Sequence, residues 1–304
     1  MSLSSGDLLT FAVTMPSGNE LLTALASGLL LGGLFAITAL GLSLVFGVMR
    51  LINLVHGELI VLGAFLAYVL LDSAGIDPLV GLLLVAPAMF LIAYPIQRVL
   101  INPLMSKGME PPLLTTFGLS IIAQNLFILI FSGDSRSLDT GYSSEALSVG
   151  SVTVPAMYGV AFLFAVVLAT GTHLVIQRTA AGRAVRASSE NPVAAEVLGI
   201  DVRRTYGLVY AFAALCAGVG GVLVGLSFSF GPTSGTTYLL TGFAVVVLGG
   251  LGSIKGTFFG GLLLGVIESL GGAFFGDGYR DFIGLVAFLI ILSIRPQGLF
   301  GRIE

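Results

Sequence analysis

Few residues in this chain have side chains that could do chemistry. Asn53, His56 and Glu58 stand close together in "INLVHGELIV" (Ile52–Val61). A histidine and a carboxylate this near could share a proton or offer two metal ligands. H-x-E is not, however, the H-E-x-x-H of a zinc protease helix, and the other histidine, His173, lies in a different apolar run. No metal site is expected. The three side chains suit two roles: satisfying a helix start or broken backbone, or lining and gating a solute path. Glu268 in "LLLGVIESLGG" (Leu262–Gly272) is buried deep in an apolar stretch. A carboxylate there must face protein and find a partner, or carry a proton, which points to path lining or a subunit contact. Gln124 and Asn125 in "SIIAQNLFIL" (Ser120–Leu129) can hydrogen-bond across helices or line the same path. The single cysteine, Cys216, excludes an internal disulfide and reads as a small buried hydrophobe. "GGLGSIKGT" (Gly249–Thr257) lacks the G-x-x-x-x-G-K-[ST] spacing that cradles nucleotide phosphates. The sequence holds no nucleophile–base or metal constellation for an enzyme, and no cofactor is expected. Any ATP used must be hydrolysed by a partner.

The elements that hold these groups are set by composition. The 304 residues are 56% hydrophobic and only 10% charged, with a mean hydropathy of +1.05. Soluble proteins are about 45–50% apolar and about 25% charged. Glycine, at 42 residues, is also more frequent in membrane helices than in soluble ones. The net charge of −3 comes with no basic patch of the kind nucleic acid needs. The expected fold is an all-α polytopic membrane protein. A span needs about 20 apolar residues, and nine apolar segments stand out: 21–48, 58–71, 78–97, 113–132, 156–177, 206–228, 237–251, 257–275 and 282–294. The segments at 58–71, 237–251 and 282–294 are short, so the expectation is eight or nine transmembrane helices, one or two of them broken or re-entrant. Such breaks survive only where backbone is buried in protein or lines a water-filled cavity.

Charge assigns the sides. If all nine segments cross and the N-terminus is outside, every lysine and arginine but Arg136 and Arg280 falls inside, as the positive-inside rule requires. The C-terminus is then cytoplasmic. Residues 1–20 read as a short extracytoplasmic leader, and 21–304 as one membrane domain with a cytoplasmic loop at about 178–205. The longest outer loop, at about 133–155, cannot bury a core of its own.

That cytoplasmic loop is the one soluble-looking island: "GRAVRASSENPVAAEVLGIDVRR" (Gly182–Arg204). Asn191 can cap a helix and Pro192 suits its first position. Val193, Ala194, Val197 and Leu198 supply an apolar face, and Gly199 fits the position past the end. The predicted helix is about two turns long. Arg183 and Arg186 fall near one face of a further turn before it. Short helices need a partner surface to persist, so the island is either a docking element or a solvated loop.

Its residues resemble the cytoplasmic coupling loop of branched-chain amino acid ABC importer permeases, whose pattern is G-R-A-x-R-A-x-x-[ED]-[ND]-x-x-x-A-x-x-x-G-[IV]. Gly182, Arg183, Ala184, Arg186, Ala187, Glu190, Asn191, Ala195, Gly199 and Ile200 match it. Three more stretches resemble the family in order: "INLVHGELIVLGAF" (Ile52–Phe65), "VVVLGGLGSIKGTFFGGLLLGVIES" (Val245–Ser269) and "IRPQGLFG" (Ile294–Gly301). The resemblance implies a permease subunit in a prokaryotic plasma (inner) membrane. Its partners would be two cytoplasmic ABC ATPase subunits, a second permease that is a paralogue or an identical copy, and an extracytoplasmic solute-binding protein. ATP binding and hydrolysis would move the coupling helices and drive alternating access, with Gly182, Arg183, Arg186, Glu190, Asn191, Pro192, Ala195 and Gly199 at the ATPase contact. The solute implied is a branched-chain amino acid; relatives carrying urea, amides or other small organic solutes are the alternative. A stand-alone channel or secondary transporter would predict more charge in the spans and no docking island.

Glycines at i, i+4 spacing, Gly28–Gly32, Gly221–Gly225, Gly256–Gly260 and Gly261–Gly265, are expected at close helix contacts. These lie inside the subunit or against a second permease. "GLGSIKG" (Gly250–Gly256) reads as a tight turn.

Overall fold

A computed structural model describes residues 15–295 and 297–299. Most of the expected leader, with Pro296, Phe300, Gly301 and Arg302 near the C-terminus, lies outside these residues. Each of the nine apolar segments forms a helix. In chain order the elements are α1 (Gly18–Met49), α2 (His56–Ala74), α3 (Pro78–Pro95), a π-helical turn (Ile96–Ile101), α4 (Asn102–Met105) and α5 (Glu110–Phe131). A hairpin follows, β1 (Ala146–Val149) and β2 (Val152–Pro155), and then α6 (Ala156–Arg178), α7 (Ala180–Glu190), α8 (Pro192–Val197) and α9 (Val202–Ser227). The chain closes with α10 (Gly235–Gly249), α11 (Ile254–Phe275) and α12 (Arg280–Ile294). Seven helices are long and apolar enough to cross a membrane: α1, α2, α3 with its continuation to Met105, α5, α6, α9 and α11. The α10 and α12 helices keep the shortness read from sequence. At 15 residues each they reach about 22 Å, against a hydrocarbon core of about 30 Å. This is the all-α polytopic fold that composition demanded.

The centre of the bundle is α1 crossed by α9 and α11. Gly28 faces the backbone of Gly265 and Val266, and Gly32 faces Leu262; a Cβ added at Gly32 would stand 2.5 Å from the Leu262 Cα. Gly261 meets Ala36, Gly221 meets Ile60, Gly225 meets Leu138, and Gly256 and Gly260 meet Gly249. All four glycine pairs therefore pack inside this subunit. The two ends of the bundle differ. At one, the start of α1 lies beside the hairpin, with Ser151 donating to Asn19 at 3.3 Å. At the other, Asn102 donates to the Arg203 carbonyl at 2.9 Å, beside α7 and α8.

Two local features have clear physical causes. Pro95 removes a backbone donor at the end of α3, and the helix widens into a π turn before α4. The Gly250–Ser253 turn uses Gly250 and Gly252 at φ +99° and +79°, a region glycine enters at no steric cost. The Ser253 side chain then caps α11.

The 133–155 loop carries the hairpin. Val149 and Val152 pair across a two-residue turn led by Gly150 at φ +64°. Arg136 exchanges backbone hydrogen bonds with Phe230. Its guanidinium donates to the Tyr68 hydroxyl at 2.5 Å and the Phe131 carbonyl at 2.9 Å, and lies 4.6 Å from the Tyr68 ring centre. Tyr142 donates to Asp77 at 2.7 Å. Burial, reinforced by that bond, pushes the Tyr142 phenol up to about 12.

Candidate functional site

The polar group at the head of α2 sits where two helices begin against each other. After α1 ends, residues 50–55 turn back into the bundle, with Leu51, Asn53 and Val55 buried. The α2 helix then starts beside the middle of α1: His56 Nε2 lies 2.8 Å from the Thr38 carbonyl. Thr38 is about 16 Å along α1 from Met49, so α2 begins within the bundle. The α10 helix begins there too. The Gly57 and Gly235 backbones touch, and a Cβ at Gly235 would stand 2.5 Å from the Glu58 carboxylate oxygens. Both glycines are needed for this approach. The short segments at 58–71 and 237–251 are thus helices that start inside the bundle, as broken elements do.

Asn53, His56 and Glu58 are almost wholly buried. Tyr210 donates to Asn53 Oδ1 at 3.4 Å and Ser120 donates to Glu58 Oε1 at 3.3 Å. Asn53 Nδ2, His56 Nδ1 and Glu58 Oε2 have no protein partner. Buried polar atoms normally find one, so the junction holds hydrogen-bonding capacity that the chain itself leaves unused. Thr38, Ser120 and Tyr210 join this cluster from α1, α5 and α9, and nothing in their local sequence marked them.

Glu268 occupies a second place. Its side chain is 6% exposed and faces α12, where Gly284 leaves the room it needs; a Cβ at Gly284 would stand 2.6 Å from Glu268 Oε1. Beside it is a cavity of about 190 Å³ whose other polar lining comes from Thr237, Thr241 and Asp281. Threonines at i, i+4 in an apolar segment were the available sign. Gln124 and Asn125 join neither place. Gln124 is half-buried and Asn125 exposed. Asn125 donates at 2.8 Å to the Ile121 carbonyl of its own helix rather than across to another.

The island is two helices. Thr179 caps α7 by accepting from the Gly182 amide at 3.0 Å, and Asn191 caps α8 by accepting from the Ala194 amide at 3.0 Å. Pro192 takes the first position of α8. At its end the Gly199 amide donates to Glu196 and the Ile200 amide to Ala195, with Gly199 at φ +84°, the Schellman closure that glycine permits. Gly182 is buried where a Cβ would collide with the Val175 and Ile176 carbonyls. Arg186 donates to the Ile176 carbonyl at the end of α6. Ala195 is buried, and Arg183 and Glu190 are exposed. Most of the motif residues therefore build and anchor the island. What it turns outward is apolar: Val193, Val197 and Leu198 are 71%, 84% and 79% exposed.

Comparison with known proteins fits this geometry. Residues 24–294 match the family model described as the branched-chain amino acid transport system permease component. The chain is 32% identical over 303 residues to the high-affinity branched-chain amino acid transport system permease protein BraD of Pseudomonas aeruginosa, covering 95% of this chain and 99% of that one. It is 30% identical over 297 residues to the corresponding permease protein LivH of Salmonella typhimurium, covering 91% and 94%. The fructose import permease protein FrcC of Rhizobium meliloti is 28% identical, covering 90% and 81%. No solved structure matches. A family match across the whole bundle, with relatives that are transport subunits rather than enzymes, leads to one assignment: this chain belongs to the family of permease components of branched-chain amino acid transport systems.

Proposed function

We propose that the chain is the membrane subunit through which an ABC importer moves a branched-chain amino acid inward across a prokaryotic plasma membrane. Two cytoplasmic ATPase subunits supply the energy, a second permease completes the path, and an extracytoplasmic binding protein delivers the solute. The observation that carries this reading is the outward face of α8. Val193, Val197 and Leu198 project from a helix fixed at both ends and tied to the bundle. An apolar face held rigidly away from its own bundle suits a partner that must push on it. Movement at the ATPases would then reach α6 and α9 through α7 and α8, and so shift the spans between outward- and inward-facing states. Helix starts that meet inside a bundle are a recurring architecture of solute paths, which supports alternating access at the α2–α10 junction. The relatives BraD and LivH support a branched-chain amino acid as the solute.

Charge supports the side assignment. Arg136 and Arg280 are the two basic residues at the hairpin end, and each is engaged by its own chain: Arg136 by Tyr68 and Phe131, Arg280 by Asp277 at 3.0 Å. The island end carries the exposed Arg50, Arg183, Arg203 and Arg204 and is the cytoplasmic face.

The test is purification of the tagged chain from its own host's membranes, with mass spectrometry of what accompanies it. The reading requires ATPase subunits and a second permease, and ATP-dependent uptake of leucine, isoleucine or valine once the assembly and binding protein are in liposomes. A chain that purifies alone and moves solute without ATP contradicts it.

A further inference from the structure

Glu268 is a carboxylate held at 6% exposure inside a span-length apolar helix. Such a group is costly unless it is paired or faces a polar cavity. Among the described residues it has no ion pair. The nearby Arg280 is committed to Asp277 at 3.0 Å. The chain nevertheless makes space for it: Gly284 on α12 is the only residue type that clears its side chain. The carboxylate borders the 190 Å³ cavity between α10, α11 and α12, where Thr237 and Thr241 add hydroxyls and Asp281 adds a second acid. Leu264 and Leu285 form apolar wall. The volume lies below the roughly 300–1,000 Å³ of pockets for drug-sized ligands.

These features select a ligand class. The two acids of the lining disfavour anions, and among the described residues the nearby cation, Arg280, is ion-paired with Asp277 rather than with Glu268. Hydroxyls accept from an ammonium group, and carboxylates both accept from it and are neutralised by it. The leucine walls favour a short aliphatic body over a polyhydroxylated one. We propose that this cavity is a binding site within the membrane domain for the ammonium end of a small aliphatic solute, with Glu268 as the charge that receives it and Thr237 and Thr241 as hydrogen-bonding neighbours. This rests on the permease reading and adds the site and the part of the solute it holds. The bound ammonium gives Glu268 the direct ion pair that it lacks among the described residues.

The experiment uses introduced cysteines in the reconstituted importer. The native Cys216 is fully buried, so the reagents reach the introduced Thr237→Cys and Thr241→Cys thiols, of which Thr241, the less exposed, reports most directly on the cavity. Each is treated with a small ammonium-bearing methanethiosulfonate and with its sulfonate counterpart, with and without leucine, and with and without 4-methylpentanoate, which has the same aliphatic body but no ammonium. The cationic reagent should react about tenfold faster or more, the scale on which a charged cleft enriches counter-ions. Leucine should slow the reaction and 4-methylpentanoate should not. The charge preference should collapse in Glu268→Gln combined with either cysteine. Glu268→Asp should restore part of it, which separates the charge from simple packing. Equal rates for the two reagents, protection by both solutes, or unreactive cysteines in a folded assembly overturn the site. Those results leave ATP-driven uptake by the wild-type assembly untouched, so failure of the site and failure of the permease reading are distinguishable.

Discussion

Removing the outward face of α8 should break assembly without harming the permease. The perturbation is Val193→Ala, Val197→Ala and Leu198→Ala together. Alanine preserves helix propensity, the caps at Asn191 and Gly199 remain, and all three side chains are exposed in the free chain. Substitutions at such positions usually shift stability by less than about 0.5 kcal/mol. The assembled state is different. At about 0.8 kcal/mol per buried CH₂, the triple variant loses roughly 5–6 kcal/mol of contact for a fully covered face. For a half-covered one the loss is about 3 kcal/mol, roughly a hundredfold in Kd. The assay is equilibrium binding of purified ATPase subunit to detergent-solubilised permease, with thermal unfolding run in parallel. The expected result is binding weakened by about two orders of magnitude and an unchanged melting temperature. Unchanged binding refutes the reasoning, because it leaves the only rigid apolar projection of the island without a role. A fall in melting temperature matching the loss of binding refutes it too, since the side chains would then be part of the permease's own fold.

Glu190 is exposed at the end of α7, so Glu190→Gln should leave ATPase activity in the complex but lower uptake about tenfold, within the range of a coupling energy of about 1–3 kcal/mol; equal losses of both activities contradict the role. Gly265 sits where a Cβ would stand 2.5 Å from the Gly32 amide nitrogen, so Gly265→Val should destabilise the isolated subunit by about 1–3 kcal/mol or more, read as a lower melting temperature in detergent. A glycine used only against a second permease would leave the isolated subunit unchanged. The Tyr142 phenol, raised from 10.0 to about 12 by burial, favours the folded loop while it is protonated. Its contribution is complete below about pH 10 and is lost as pH rises towards 12. Proteolysis of the 133–155 loop should therefore accelerate across that window in the wild type, and Tyr142→Phe should flatten the response.

Much of the architecture was legible because lipid leaves the backbone few options. Nine apolar runs became nine helices, and the runs too short for a span were those that begin inside the bundle or fall short of a crossing length. Helix punctuation around Asn191, Pro192 and Gly199 was equally readable, since each acts within a few residues. What depends on distant partners was not. The caps of the island are local, but the pairing of Glu58 with Ser120 and of Asn53 with Tyr210 joins residues far apart in sequence, which spacing cannot reveal. The anchoring of Arg186 also needed three dimensions: its guanidinium reaches back to the Ile176 carbonyl at the end of α6. The hairpin at 146–155 had a signal, alternating valines around Gly150–Ser151, of the kind that marks two-residue turns. Its setting among membrane helices hid it.

The most direct test of the central claim is site-specific cross-linking from α8 in native membranes. With Cys216 buried and silent, Val197→Cys carries a photoactivatable group as the only modified position. The account predicts a cross-link to an ABC ATPase subunit, formed in good yield and altered by trapping the complex with ATP. Cross-links only to lipid, or to another copy of the permease, would contradict it.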